Sequence, residues 1–308
     1  MKNIIKILLC PFVALMLVSC NETVKQPQTL KVMVWNVWNA GHQEKYPGKG
    51  WEGVIGIIKE SGADVVLMVE TYGSANKVAD SLGYYHRLLS SNLSIYSRYP
   101  IKRTITFPDS ISTFNFGGVE IDVNGKPILL FDTWLHYLPD ARLAPVDSSE
   151  AAIIAWEKSG TRFKEITTIL SVLAPFINFD VPLIFGGDFN GHSHLDWTEE
   201  VKNNYNHGGA VVNWSVSKAL VDAGFKDSFR EIHPNPADNI GTSWIEPVSP
   251  DLPDRADRID YIYYKGKGIK AIESETYDSQ LGSTFNFNGK DFFYASDHGF
   301  VLSTFEIN

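Results

Sequence analysis

Side chains able to move protons or hold a cation collect in this 308-residue sequence at the ends of apolar runs. The run VVLMV leads straight into Glu70, KVMVW into Asn36, and LIFGG into Asp188-Phe189-Asn190. A carboxylate at the end of a buried strand is unfavourable unless it is paired or binds a cation. Side chains alternate along an extended segment, so Asp188 and Asn190 face the same way and present one acid and one amide to a common ligand. Asp260 opens the run DYIYY, and Asp297-His298 precedes GFVL. Singly, each is ordinary turn chemistry. Together they make a set of hard oxygen donors with an imidazole, suited to a divalent cation and to proton transfer.

The elements that must position these residues are short runs of β-branched and aromatic residues bounded by turn residues. They fall at 30–37, 64–70, 93–97, 117–123, 127–135, 181–186, 259–264 and 299–306. Trp51, Val54, Ile57 and Ile58 recur at helical spacing up to Gly62, and Phe163, Ile166, Leu170 and Leu173 do so ahead of Pro175, with Ser148 or Ser149 as the cap. Asn124-Gly125 marks a tight turn between two strands. The mixture predicts an α/β (α+β) domain, a four-layer sandwich of two mixed β-sheets packed face to face with helices outside. No linker divides residues 30–308, so one domain is expected there.

Composition narrows the class. With 44% hydrophobic and 20% charged residues the chain can bury a large core, and no repeat or low-complexity bias points to a solenoid or fibre. The net charge of -9 repels phosphate polymers over the whole surface, so any nucleic-acid contact has to be local. Lys2 and Lys6 followed by the apolar run Ile7 to Val18 read as a signal peptide over 1–19, too short to span a bilayer. Leu17-Val18-Ser19-Cys20 is similar to a bacterial lipobox, which implies lipidation of Cys20. Residues 20–29 then serve as a polar tether, and the expected location is the bacterial cell envelope, periplasmic or surface-exposed, with the membrane engaged through the lipid.

KVMVWN, VVLMVE, GGDFN, RIDYIYY and SDH, in this order, resemble the endonuclease/exonuclease/phosphatase superfamily, and LSIYSRYPI at 93–101 adds to the likeness. The resemblance covers 30–308 and implies metal-dependent hydrolysis of phosphate esters, with Mg²⁺ as cofactor and Mn²⁺ as a substitute. It implies Glu70 as the main metal ligand, with Asn36 beside it and Asp297 adjacent. Asp188 would position or activate water, Asn190 would bind the phosphate or the metal, and His298 would contact the phosphoryl oxygen or transfer a proton with Asp260 orienting its ring. Members often carry Thr-His-Leu after the strand near 130. This chain reads Asp132-Thr133-Trp134-Leu135-His136, and His136 is taken as the second histidine, the alternative being that it packs among Trp134, Tyr137 and Leu138.

His192 and His194 after GGDFN are read as substrate contacts or loop hydrogen bonds rather than a zinc pair, and Arg258 as an ion-pair partner. His42, His86, His207 and His233 are assigned to surface or loops; Trp38 and Trp244, in loop-like segments near motif ends, are the tryptophans best placed to line a site, with aromatic packing as the default. Residues 247–257, rich in Pro and Asp, form a loop that either walls the cleft or is simply solvated. The acidic surface favours a small or lipid-linked phosphodiester, acted on by a monomer, over nucleic acid. Two rivals are a binding lipoprotein that has lost catalysis and a glycosidase with paired carboxylates. The latter leaves SDH and DFN unexplained.

Overall fold

The computed structural model describes residues 28–42, 44–177, 181–205, 207–244 and 258–308. The signal peptide, Cys20, most of the tether and the loop 247–257 lie outside these residues. Among the described residues there are fourteen strands: β1 (Gln28–Asn36), β2 (Val65–Val69), β3 (Tyr85–Leu88), β4 (Ser94–Ser97), β5 (Ile101–Ile105), β6 (Phe116–Val123) and β7 (Lys126–Trp134), then β8 (Leu183–Asp188), β9 (Lys226–Asp227), β10 (Asp260–Lys265), β11 (Ile269–Tyr277), β12 (Thr284–Phe287), β13 (Lys290–Phe293) and β14 (Phe300–Ile307). Strand β1 begins at Gln28, so the last two residues assigned to the tether belong to the sheet.

Two six-stranded mixed sheets, ordered β11-β14-β1-β2-β4-β3 and β5-β6-β7-β8-β10-β9, pack face to face, and β12 and β13 form a separate hairpin. The four-layer architecture expected from the sequence is therefore present. Alternation sorts each strand between layers. Leu30, Val32 and Val34 of β1, Leu67 of β2, Ile128 and Leu130 of β7, Ile184 of β8 and Ile262 of β10 fill the core between the sheets. Met33, Trp35, Val66 and Met68 face outward and meet Trp51, Val54, Ile57 and Ile58 of the helix Lys49–Ser61. On the opposite outer face Phe131, Phe185 and Tyr263 meet Ile166, Ile169 and Leu173 of the helix Arg162–Ile177.

The helical reading near 163 needs two corrections. Ser149 caps a separate helix, Glu150–Lys158, through its Oγ and the Ala152 N–H. The helix Arg162–Ile177 also carries Pro175 within its last turn instead of stopping before it. The chain breaks between these helices at Gly160, where a Cβ would lie 2.4 Å from the Leu138 carbonyl oxygen.

In each sheet one central pair is parallel, β1 with β2 and β7 with β8, so both pairs end at the same edge of their sheet. Continuing the inward alternation Val32, Val34 gives Asn36, and continuing Ile184, Gly186 gives Asp188. Asp260 sits directly across from Asp188 in the antiparallel β10. The polar cluster is thus the terminal layer of the inter-sheet core. The glycines of LIFGGD make this approach feasible: at Gly187, with φ 137°, a Cβ would lie 2.1 Å from the Thr133 carbonyl oxygen. Gly187→Ala is accordingly expected to lower stability by about 1–3 kcal/mol and to displace Asp188. Chemical denaturation measures the first effect, and a wild-type midpoint would show that the β7–β8 contact tolerates a methyl.

Candidate active site

Asn36, at the end of β1 and fully buried, sits at the centre. Its Nδ2 donates to Glu70 Oε1 at 3.2 Å and Asp188 Oδ2 at 3.1 Å, and lies 3.4 Å from His298 Nε2. Its Oδ1 accepts the Trp38 N–H at 2.9 Å. In this orientation Asn36 bridges the two carboxylates. Its amide offsets the repulsion between two acids brought together in a low-dielectric layer.

Glu70 follows β2 directly and adopts φ 60°, a left-handed conformation unfavourable for a residue with a Cβ. The buried Asn92 holds it there by accepting the Glu70 N–H at 3.0 Å and donating to the Phe114 carbonyl at 2.9 Å. Glu70 Oε2 accepts the Asn39 N–H at 2.8 Å. Asn190 also has positive φ. It donates from Nδ2 to Asp188 Oδ2 at 3.1 Å and to the Leu135 carbonyl at 2.8 Å, while its N–H goes to Asp188 Oδ1 at 2.8 Å.

His298 comes from the turn before β14. Ser296 Oγ accepts the His298 N–H and donates to the Asn36 carbonyl, joining this turn to the end of β1. The His298 carbonyl accepts from Trp35 Nε1 and the Tyr294 hydroxyl. Its Nδ1 is 3.0 Å from Asp260 Oδ2, and its Nε2 is 3.8 Å from Asp188 Oδ2. Ser243 donates to Asp260 Oδ2 at 2.8 Å and accepts the Asp260 and Ile259 N–H groups. No sequence pattern marked Asn92 or Ser243, because each is recognisable only from across the sheet.

Burial alone would push the His298 imidazolium down, but the charges of Asp260 and Asp188 outweigh it and raise the ring to about 10. Burial, helped by Asp260 and opposed by His298, raises Asp188 to about 7. These groups titrate as a coupled set. One layer beneath, Asp132 is wholly buried with neither carboxyl oxygen hydrogen-bonded among the described residues, and burial pushes it well above the usual carboxylate range.

The donors fit a divalent cation. Asp297 Oδ1 is buried without a hydrogen-bond partner among the described residues, and the Asp297 carboxyl is raised by burial, with the Glu70 charge adding to the rise and His298 opposing it. Two acids in this relation are what a hard cation relieves. Asp188, Asp260 and His298 also offer ligand atoms within 4.8 Å of one another, though His298 Nδ1 is engaged by Asp260.

His136 is not brought into this cluster. Its Nδ1 accepts the Leu138 N–H, its ring stacks on Tyr137 at 4.9 Å, and it lines a groove with Leu138, Pro139, Ser159, Gly160 and Thr161. The residue that β7 holds in register beside Asp188 is Trp134. Thr133 and Leu135 flank this tryptophan, the residue types that flank the histidine of Thr-His-Leu. Trp244 lines the cavity beside Asn190, as expected of a wall residue, with the Arg142 guanidinium 4.5 Å from its ring. Trp38 packs its ring on His42. His192 is buried against Trp197 and Trp214, and His194 bonds Ser217, so the pair forms no shared metal site. His207, assigned to surface or loop, is a buried loop residue stacked on Trp197 at 3.9 Å. Arg258 is an ion-pair residue, held by Asp196 and Asp227.

A two-sheet sandwich with acids, amides and a histidine–aspartate pair at one end of the inter-sheet core defines a phosphoesterase-type scaffold. The chain belongs to the endonuclease/exonuclease/phosphatase family, whose pattern it matches over residues 33–298. Members of that family are metal-dependent hydrolases of phosphate esters. The chain is 28% identical over 277 residues to F14F9.5, an uncharacterized protein of Caenorhabditis elegans, an alignment covering 83% of this chain and 85% of the relative. In fold it is similar to D. rerio TDP2 complexed with a single-strand DNA product (TM-score 0.59, 16% identity, covering 91% of this chain and 99% of that one). It is also similar to an AP endonuclease from Archaeoglobus fulgidus (TM-score 0.57, 17% identity, covering 89% and 98%).

The raised His298 value carries a sign for stability. The imidazolium supports the fold fully below its ordinary 6.5, and that contribution is lost as pH climbs through about 10. Asp188, raised by burial, weakens the fold between its ordinary 3.8 and about 7 and adds no slope above. Asp260→Asn is expected to flatten the fall of the thermal midpoint between pH about 7 and about 10 in metal-free protein. Equal slopes in wild type and variant would remove Asp260 from control of the ring.

Proposed function

We propose that this protein is a metal-dependent phosphodiesterase acting on a small or lipid-linked phosphate ester. The observation that carries the reading is the single Asn36 amide within 3.4 Å of Glu70, Asp188 and His298, three groups from distant parts of the chain. Glu70 and Asp297 would hold the cation, Mg²⁺ or Mn²⁺. When bound, it supplies positive charge against the phosphoryl oxygens. Asp188 accepts the proton of the attacking water, and its raised pKa keeps it a competent base near neutrality. His298, kept protonated by Asp260, donates to the negative charge that develops on the phosphoryl oxygen. Asn190 orients the Asp188 carboxylate through two hydrogen bonds and stands at the cavity shared with Tyr137, Arg142 and Trp244.

Charge supports the choice of substrate. Among the described residues that line the cavities near Glu70 and Asn190 the one cation is Arg142, itself ion-paired with Asp140. A groove following a polynucleotide backbone needs a row of cations. Cleavage of nucleic acid is the second reading, favoured by the likeness to a TDP2 structure that holds a DNA product. We further propose, from the lipobox-like LVSC alone, that Cys20 carries a lipid that keeps the enzyme on the outer side of a bacterial membrane, as a monomer.

Removal of the metal with EDTA is expected to abolish hydrolysis of bis(p-nitrophenyl) phosphate, and Mg²⁺ or Mn²⁺ to restore it. Glu70→Gln should require at least about tenfold more Mg²⁺ for half-maximal rate with its fold retained. Turnover indifferent to EDTA, or an unchanged Mg²⁺ requirement in the variant, would refute the assignment. A parallel assay on single-stranded DNA decides between the two substrate readings.

A further inference from the structure

Near Glu70, whose Oε2 accepts the Asn39 N–H, the surface opens into a cavity of about 560 Å³, lined by Asn39, His42, Glu44, Trp51, Tyr72 and Ser74 among others. That volume lies within the range of small-molecule sites. Two chain segments join it to the reaction centre. Asn39, whose N–H donates to Glu70 Oε2, comes from a turn in which all five residues, Trp38 to His42, have φ between 44° and 72°. Runs of left-handed residues other than glycine persist only where the surroundings enforce them, and they concentrate at functional sites. Here the Ala40 N–H donates to the Glu70 carbonyl at 2.8 Å and the Gly41 N–H to the Val37 carbonyl at 2.7 Å. The second segment, Thr71 to Ser74, follows Glu70 directly and ends at the N-cap of the helix Ala75–Leu82.

Ser74 carries the independent observation. A serine at an N-cap ordinarily uses its hydroxyl to accept a helix N–H. The Ser74 hydroxyl makes no such bond and has no hydrogen-bond partner among the described residues, while the residue, 3% exposed, is one of those lining this cavity. A buried hydroxyl left unpaired is unfavourable unless a ligand satisfies it.

From this arrangement the geometry points to a pocket for the leaving alcohol of the phosphate ester, shaped for a neutral polyhydroxylated ring such as a sugar or a cyclitol. The inference rests on the phosphodiesterase reading above. In an in-line displacement the attacking water and the departing oxygen lie on opposite sides of phosphorus. Water held by Asp188 therefore sends the alcohol toward Glu70 and the cavity beyond it. Water supplies the hydroxyl that ends on phosphorus, the P–O bond to the alcohol breaks, and the alcohol leaves with a proton. Aromatic surface from Trp51 and Tyr72 with hydrogen-bonding groups from Ser74, Asn39, His42 and Glu44 suits alternating C–H faces and hydroxyls. Among the described residues no lysine or arginine lines the cavity; Lys77 stands over the Trp51 ring at 5.7 Å but is not among the lining residues. The Glu44 carboxylate opposes an anionic alcohol.

The test uses the full chain with Mg²⁺ and three phosphodiesters, each carrying one methyl group and, as the second alcohol, glucose, choline or glycerate. Release of the larger alcohol is followed by mass spectrometry. Wild type should favour the glucose diester by about tenfold in kcat/KM, and Ser74→Leu, which fills the cavity, should erase that advantage while inorganic phosphate inhibits as before. Ser74→Ala, the milder change, should lose part of the advantage with thermal stability retained. Equal turnover of the three diesters, a preference for glycerate or choline, or an advantage surviving in Ser74→Leu would overturn the pocket assignment and leave the enzyme class standing. Failure of wild type to hydrolyse these diesters and bis(p-nitrophenyl) phosphate alike would remove the phosphodiesterase reading and the pocket with it.

Discussion

Like charges forced together at the rim of an apolar layer set the terms for the whole molecule. Asp188, Asp260, Glu70 and Asp297 converge where the inter-sheet core ends, and carboxylates in such a place repel one another and lose hydration. Neutral donors answer most of this: the Asn36 amide between Glu70 and Asp188, the Asn190 amide on Asp188, and the Ser243 hydroxyl on Asp260. The His298 imidazole answers a further part. What is left over includes the oxygens of Asp297 and Asp260 that lack a partner among the described residues, and a cation at Glu70 and Asp297 would take up part of it. Among the described residues the buried Asp132 lies beneath this cluster, its carboxyl raised well above the usual range by burial.

The supporting network works through backbone as much as through side chains. Trp35 and Tyr294, both in the outer core, hold the His298 carbonyl, and Ser296 joins the His298 turn to the Asn36 carbonyl. Aromatic packing among Trp35, Tyr294 and Phe300, with centroids 5.4 Å apart, therefore positions the histidine through two hydrogen bonds. The left-handed Glu70 is fixed in the same manner by Asn92. Functional side chains placed to fractions of an ångström need this kind of second layer.

Much of this was legible in the residues. Strands with long apolar alternation, such as β1, β7, β8, β10 and β14, declared themselves because their side chains pack on two layers, and the acids that interrupt the pattern marked the site. Strands β3, β5 and β11 were hidden by charged, half-exposed sequences such as YHRL and IKRTI, where edge position rather than burial decides pairing. The hairpin of β12 and β13 carried a visible signal in Asn288-Gly289, with φ 51° and 78°, of the same kind as Asn124-Gly125. The second-histidine assignment failed on register: two residues past the strand, a side chain no longer obeys the alternation that aims Trp134 beside Asp188. Partners from across the sheets, Asn92 and Ser243, leave no periodic trace in the chain.

The two sheets are built alike. In one the run β14-β1-β2-β4, in the other β6-β7-β8-β10, places a parallel pair between two antiparallel neighbours. The equivalent corners are Asn36 with Glu70 in one half and Trp134 with Asp188 in the other. Chemistry is therefore confined to a seam between near-copies, and neither copy holds a complete set of groups. Groups from both halves meet across the seam, as Asn36 and Asp188 do, so the geometry of the cluster depends on how the two apolar sheet faces pack against each other.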